Sequence, residues 1–479
     1  MSGAPRDPGA PGLAGPAAVL GGVILLVVAP IPRASDYFTA LVMLEAIALA
    51  IFAAFAVHRT LADAPGWGGR VRPLVGLLLA SPVAIALVQL VPLPPAWWAA
   101  LPGHARYAQA LDALGFAPAW RAISISPDVT GASLLAALPI AAAFLLGHVA
   151  SVRQCRQLLG AVAAVTFAEV LLGLLQLSGG QFSPWYFGML TYGSPIGTMG
   201  TRNEYANLLA MGLAAYIWLA FDQVRYSIKV PTGARWRSGR FDARHAMAAW
   251  IFGGLVLVIG ILISRSRAGT LVGLSAALIA VAVVGLRVFG TSRGWRFALP
   301  AAVLLAVGAV AMVGPGIIIE RLTGGQLQAS ANSRLELWHG TWQAALAFFP
   351  FGSGWGTYDI AYRPFQGAGI VGYPNHAHMD YLELFLEGGL LFLGVAVLAG
   401  GLLVQRGVQL ARQTWRTRTL GREDMLAVLC GLGLLGFLVH AAVDFPMRAP
   451  ANAILAALLA GVFLRPLPAA VDSDANARP

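Results

Sequence analysis

Apolar residues fill this chain in long runs, separated by shorter polar stretches rich in arginine, glycine and proline. A membrane-crossing helix needs about 20 apolar residues. Twelve runs approach or reach that length: residues 13–31, 38–57, 73–91, 130–149, 158–177, 205–221, 247–263, 270–289, 297–313, 384–404, 425–443 and 452–464. The last is the shortest. The pattern predicts an all-α polytopic membrane protein with about twelve transmembrane helices. The first run has no convincing cleavage site behind it, so it reads as a retained span rather than a signal peptide.

Three connecting segments are long: residues 92–129, 178–204 and 316–383. The first carries Trp97, Trp98 and Trp120 and suits a loop lying on the membrane interface. The third is the largest. Asn332-Ser333 predicts the start of a helix running to Phe348, with Leu335, Trp338, Trp342 and Leu346 near one face. The run Pro350-Phe351-Gly352-Ser353-Gly354-Trp355-Gly356 stops it. The expected division is a cytoplasmic tail over 1–12, nine spans over 13–315, an outer helical loop over 316–383 (periplasmic, on the resemblance given below), three spans over 384–465 and a second cytoplasmic tail over 466–479.

Composition supports the membrane reading. The chain is 58% hydrophobic and 11% charged, against about 25% charged in soluble proteins. The net charge of +11 is carried almost wholly by arginine, Lys229 being the one lysine. In a polytopic protein such an excess reflects topology and anionic lipid, not nucleic acid. With the N-terminus in the cytoplasm, most basic residues fall on the inner side, as the positive-inside rule requires. Cys155 and Cys430 read as a cytoplasmic-loop thiol and an intramembrane one, with no disulfide or metal framework implied.

One short loop breaks the rule. Arg265 and Arg267 sit in a tight outer turn, Ser264-Arg265-Ser266-Arg267-Ala268-Gly269. Charge there is costly unless something anionic pairs with it, and the guanidinium fork matches phosphate. Snorkelling to lipid phosphates is the plainer alternative. Arg334 is a second candidate, with a surface pair to Glu336 as its alternative. His376 and His378 form the third. His378 lies ahead of Tyr381-Leu382, where an imidazole could take a proton from a hydroxyl, or could serve as a helix cap. His376, Asp380, Glu383 and Glu387 also share a helical face that could bind a divalent cation, although metalloenzyme spacing is absent. Glu45 and Glu169 lie inside spans and stay unassigned. His440 and Asp444 lie one turn apart, close enough to pair with each other. No P-loop, dinucleotide fingerprint, hydrolase elbow or metal–nucleotide-sugar motif occurs.

Ser266-Arg267, Arg334-(x)3-Trp338, Phe349-Pro350-Phe351-Gly352-Ser353-Gly354 and His376-Ala377-His378-Met379-Asp380-Tyr381-Leu382-Glu383 together resemble the O-antigen ligase and polymerase superfamily. The likeness runs over about 197–394 and includes Gly197-Thr198-Met199-Gly200-Thr201-Arg202-Asn203. It implies a GT-C-like fold and a multi-pass protein of the bacterial inner membrane. It also implies glycan transfer from an undecaprenyl-diphosphate carrier on the periplasmic side, without metal or other cofactor. The acceptor would be lipid A-core, in ligation, or a growing polysaccharide, in polymerisation. The resemblance implies Arg267 and Arg334 as diphosphate ligands and His378 as base. Arg265 and His376 are second choices, and Arg202, Asn203 and Tyr381 are further substrate contacts. Many members have Asn after this His, where this chain has Met379. A secondary transporter remains the alternative from another class. Twelve spans and the buried acids suit it; the large outer loop and the lack of an internal repeat do not.

Overall fold

The computed structural model describes residues 14–31, 38–61, 73–189, 193–229, 243–289, 326–370, 372–417 and 420–465. Its helices in chain order are α1 (Pro16–Val28), α2 (Phe38–Leu61), α3 (Pro73–Gln89), α4 (Pro95–Ala100), α5 (Ala105–Ala113), α6 (Pro127–Val149), α7 (Val152–Ser178), α8 (Arg202–Lys229), α9 (Ala243–Ile263) and α10 (Arg267–Phe289). They continue with α11 (Gln326–Phe348), α12 (Tyr358–Tyr362), α13 (Asp380–Thr417), α14 (Arg422–Ala441) and α15 (Pro450–Phe463). Among the described residues, strand pairing is limited to β1 (Pro92–Leu93) against β2 (Arg121–Ala122), antiparallel, with Pro92 opposite Ala122.

Helices α2, α6, α7, α8, α9, α10, α13 and α14 are long and apolar enough to cross a membrane, and α1, α3 and α15 are shorter apolar helices. The chain is an all-α polytopic membrane protein. Each apolar run of the sequence is helical except 297–313, which lies outside the described residues, as do both tails and residues 316–325.

Burial separates inner helices from outer ones. The apolar stretch of α8 is 78% buried and that of α14 67%, against 22% for α9, α10 and α13. Short α15 is buried along nearly its whole length, as an all-round apolar helix inside a bundle should be. It crosses α6 with Gly147 against the Leu458 carbonyl and Gly461 against the Phe144 carbonyl, leaving no room for a Cβ. Small residues allow such close approach where lipid supplies no hydrophobic drive.

Gly269 and Gly273 of α10 rest on Ala206 and Ala210 of α8. These two helices therefore run parallel and begin at the same end of the bundle. Asn203, at the start of α8, meets Asp444, just past the end of α14, so α14 runs the other way and finishes at that end.

Over this end sits a cap with its own core, built from Leu337, Ala344, Phe348, Tyr358, Tyr362, Ala377 and Leu386. The cap is tied to a break in α13 at Gly389, whose φ is 55°. The Pro350–Gly356 run docks there. Ser353 N donates to Leu386 O at 3.0 Å, Gly354 N to Glu387 O at 3.1 Å, and Leu390 N to Pro350 O at 2.9 Å. Gln89 adds its Nε2 to Glu387 O at 2.7 Å. The carbonyls freed by the break are thereby satisfied, as an apolar setting demands.

Two sequence expectations need correction. The helix ending at Phe348 starts at Gln326, and it presents Leu335, Trp342 and Leu346 outward. Its inward side is Leu337, Thr341, Ala344, Ala345 and Phe348, where the small residues let it lie close to the rest of the cap. Cys155 is no loop thiol: it is buried in the first turn of α7, where Arg465 Nη1 approaches its Sγ at 3.5 Å.

Candidate functional site

The cavity at the capped end has a volume of about 420 Å³ and is lined in part by Thr201, Glu204, Tyr373, His376, His378, Phe445 and Arg448. Each wall is fixed by local chemistry. Thr201 begins α8: its Oγ accepts from Glu204 N at 3.2 Å, while Glu204 Oε2 accepts from Thr201 N at 3.0 Å. This is the reciprocal capping box. Behind it, Glu169 of α7 accepts Thr198 N at 2.9 Å and the Thr198 hydroxyl at 2.6 Å. Gln176 accepts Gly197 N at 2.9 Å and returns a bond to Gly197 O at 2.6 Å. The intramembrane acid left unassigned by the sequence thus anchors the segment leading to Asn203. Glu45 is half-buried in α2.

Asp444 is the hub. Its side chain is buried, and burial by itself would raise its pKa. The hydrogen bond and charge of His378, together with His440 and Arg334, outweigh that and hold the carboxyl below its usual range. It is therefore a carboxylate at neutral pH. Oδ1 accepts from His378 Nδ1 at 3.1 Å and from Phe445 N at 3.1 Å, and Oδ2 accepts from Asn203 Nδ2. His440, expected as a partner for Asp444, stands 3.8 Å from it. With Nδ1–H committed to the carboxylate, His378 keeps the lone pair on Nε2 free. Its backbone is left-handed, at φ 51°. Such a conformation costs about 1–3 kcal/mol and is found where surroundings impose it. Here Ala377 is pinned on both sides: its N donates to Glu383 Oε2 at 2.7 Å, and its O accepts from Trp338 Nε1 at 3.0 Å.

Arg334 donates Nη1 to Val443 O at 3.0 Å, beside Asp444. It is not paired with Glu336, which accepts from Gly369 N at 3.0 Å. Arg265 and Arg267 flank a turn closed by buried serines. Ser264 Oγ donates to Ile261 O at 2.5 Å and accepts from Ser266 N at 3.1 Å; Ser266 Oγ accepts from Gly269 N at 3.1 Å. Arg265 is left-handed, at φ 57°, and Arg267 points outward, exposed. Neither side chain has a hydrogen bond or ion pair among the described residues. The structure brings this turn to the same bundle end as Asn203, Asp444 and His378, but neither of its arginines, nor Arg334, lines the cavity itself. Arg202 is half-buried at the first position of α8. Tyr381 turns away from the cavity, its Oη donating to Leu438 O at 2.7 Å.

The His/Asp/Glu stripe is occupied by an arginine. Arg448 Nε lies 2.9 Å from Glu383 Oε1, and Nη2 lies 2.6 Å from Glu387 Oε2. Burial works against its charge, but Glu383, Glu387 and Asp380 raise its pKa further. Glu383 also accepts from His376 Nδ1 at 3.0 Å, and Asp380 accepts from Met447 N at 2.8 Å. No cluster of three or more metal-ligating side chains is found among the described residues. Arg448 and the orienting role of Asp444 are what motif reasoning missed. The only sequence signal was an acid and a base in the short Asp444–Arg448 turn between two spans.

No curated protein matches the chain. Residues 252–398, which contain Arg265, Arg267, Arg334, His376 and His378, match the family model described as O-antigen ligase, a family of glycosyl-transfer enzymes that act on lipid-linked polysaccharide.

Proposed function

We propose that this chain transfers a glycan from an undecaprenyl-diphosphate carrier to an acceptor hydroxyl at the periplasmic face of the bacterial inner membrane, as in O-antigen ligation to lipid A-core. The observation that carries the reading is the Asp444–His378 pair on the same bundle end as Arg265 and Arg267, whose side chains have no partner among the described residues. His378 Nε2 takes the proton of the acceptor hydroxyl as its oxygen bonds to the sugar's anomeric carbon. The glycosidic bond to the diphosphate breaks, and the electron pair leaves with the lipid diphosphate. Arg267 and Arg334 balance the charge that develops there. Asp444 holds the ring and balances the imidazolium. No step calls for a metal, since the leaving group is already a diphosphate and the compensating charge is arginine. The positive-inside distribution supports the periplasmic placement.

Purified protein given a carrier-linked glycan and either lipid A-core or a second carrier-linked repeat tests this. Product on lipid A-core, unchanged by EDTA, is expected. Product on the second repeat alone would make the chain a polymerase. Turnover with neither acceptor would overturn the reading, and loss in EDTA restored by a divalent ion would overturn its metal independence.

A further inference from the structure

His376 and His378 sit either side of one ring. His376 stacks on Phe445 at 4.6 Å between centroids, and His378 meets its edge at 4.7 Å. Each imidazole has Nδ1 committed to a buried carboxylate, Glu383 at 3.0 Å and Asp444 at 3.1 Å. Both rings line the same cavity, with side chains 33% and 38% exposed. Neither Nε2 has a partner among the described residues. The cavity thus receives two oriented hydrogen-bond acceptors, where proton removal needs one.

The carboxylates behind them differ. Glu383 shares its charge with Arg448, whereas Asp444 turns its oxygens toward His378 and Asn203. The proton-taking role accordingly stays with His378, and His376 offers a lone pair. Tyr373, largely exposed at the cavity wall, adds an aromatic face suited to a sugar ring. The geometry points to His376 as a substrate-contacting residue whose Nε2 receives a second hydroxyl of the acceptor, next to the one that attacks. The acceptor is then a glycan with neighbouring hydroxyls, not an isolated alcohol such as a serine side chain. This rests on the reading of His378 as the base.

The test uses purified full-length protein, the carrier-linked donor, and whichever of lipid A-core and a second carrier-linked repeat the transfer assay accepts. Asparagine places its amide near Nδ1 and glutamine places its amide near Nε2. His376→Ala and His376→Asn should raise the acceptor KM about tenfold, the worth of one hydrogen bond, with donor KM and kcat close to wild type. His376→Gln should restore the acceptor KM. Rescue by asparagine and not by glutamine would overturn the proposal, because His376 would then serve only to hold Glu383. A fall in kcat with unchanged acceptor KM would overturn it too. One arm needs no variant: wild-type protein that glycosylates a serine peptide as efficiently as the glycan acceptor contradicts the second-hydroxyl requirement. His378→Ala run alongside separates the two readings, since full turnover there strikes the base assignment and not the His376 contact.

Discussion

The two ends of the helix bundle treat their charged residues in opposite ways. At one end, Asp222 holds Arg422 through two bonds of 2.5 and 2.9 Å and lies 3.4 Å from Arg156. Arg287 and Arg406 donate to the Leu420 and Phe463 carbonyls at 2.8 and 2.9 Å. There, arginine closes helix ends and neutralises a buried acid. At the other end, Arg265 and Arg267 have no partner among the described residues, and two carboxylate-held imidazoles face a cavity. At the first end these four arginines are held by the protein itself. The other leaves charge and lone pairs unspent, and holds two residues in left-handed backbone to do so. Unspent charge beside two oriented imidazoles is the arrangement on which the proposed transfer would draw.

The comparison breaks most sharply at Arg267. It is exposed, with no side-chain partner among the described residues, so Arg267→Ala should leave the melting temperature unchanged. Transfer should fall by about 10²–10³-fold, the usual cost of removing one group that stabilises developing charge. An Arg267→Ala protein with wild-type turnover would mean that the two ends differ only in lipid snorkelling.

Asp444→Asn is expected to have the next largest effect. The amide cannot fix the Nδ1–H tautomer of His378 as the carboxylate does, so turnover should fall by on the order of 10²-fold. The same variant has a stability signature. Asp444 is held below its ordinary pKa, so its contribution is fully present above the ordinary carboxylate range, about 3.9. That contribution is lost as pH falls through the depressed native value. The wild-type melting temperature should lose this share on acidification below about pH 4, whereas Asp444→Asn should lack that part of the acid limb. Identical acid limbs in the two proteins would show that Asp444 carries no linked proton.

The sequence made the spans legible because each is a continuous apolar run, and lipid imposes that requirement locally. It also singled out Arg267, Arg334 and His378, which lie in short motifs. It did not show what holds them. Asp444 reaches His378 across 66 positions, and Arg448 reaches Glu387 across 61. Local spacing offered a pair between His440 and Asp444, which approach to 3.8 Å, and, as a lesser alternative, a metal on the stripe that Arg448 fills. Spacing along α11 put Leu335, Trp342 and Leu346 near one face but did not say which way that face points: it is exposed, and Ala344 and Ala345 pack inside the cap.

The first end yields the smallest effect and the control for the others. Arg422→Ala strips the buried Asp222 carboxylate of its bidentate partner. Leaving a buried charged acceptor short of donors costs about 1–3 kcal/mol, so the melting temperature should fall while turnover per folded molecule stays at the wild-type level. Adding Asp222→Asn should recover part of that loss, because the penalty lies in the bare carboxylate more than in the missing pair. If Arg422→Ala instead lowered turnover as far as Arg267→Ala does, with no change in melting, the division between a stabilising end and a ligand-binding end would collapse. The charge at both ends would then have to act on the same substrate.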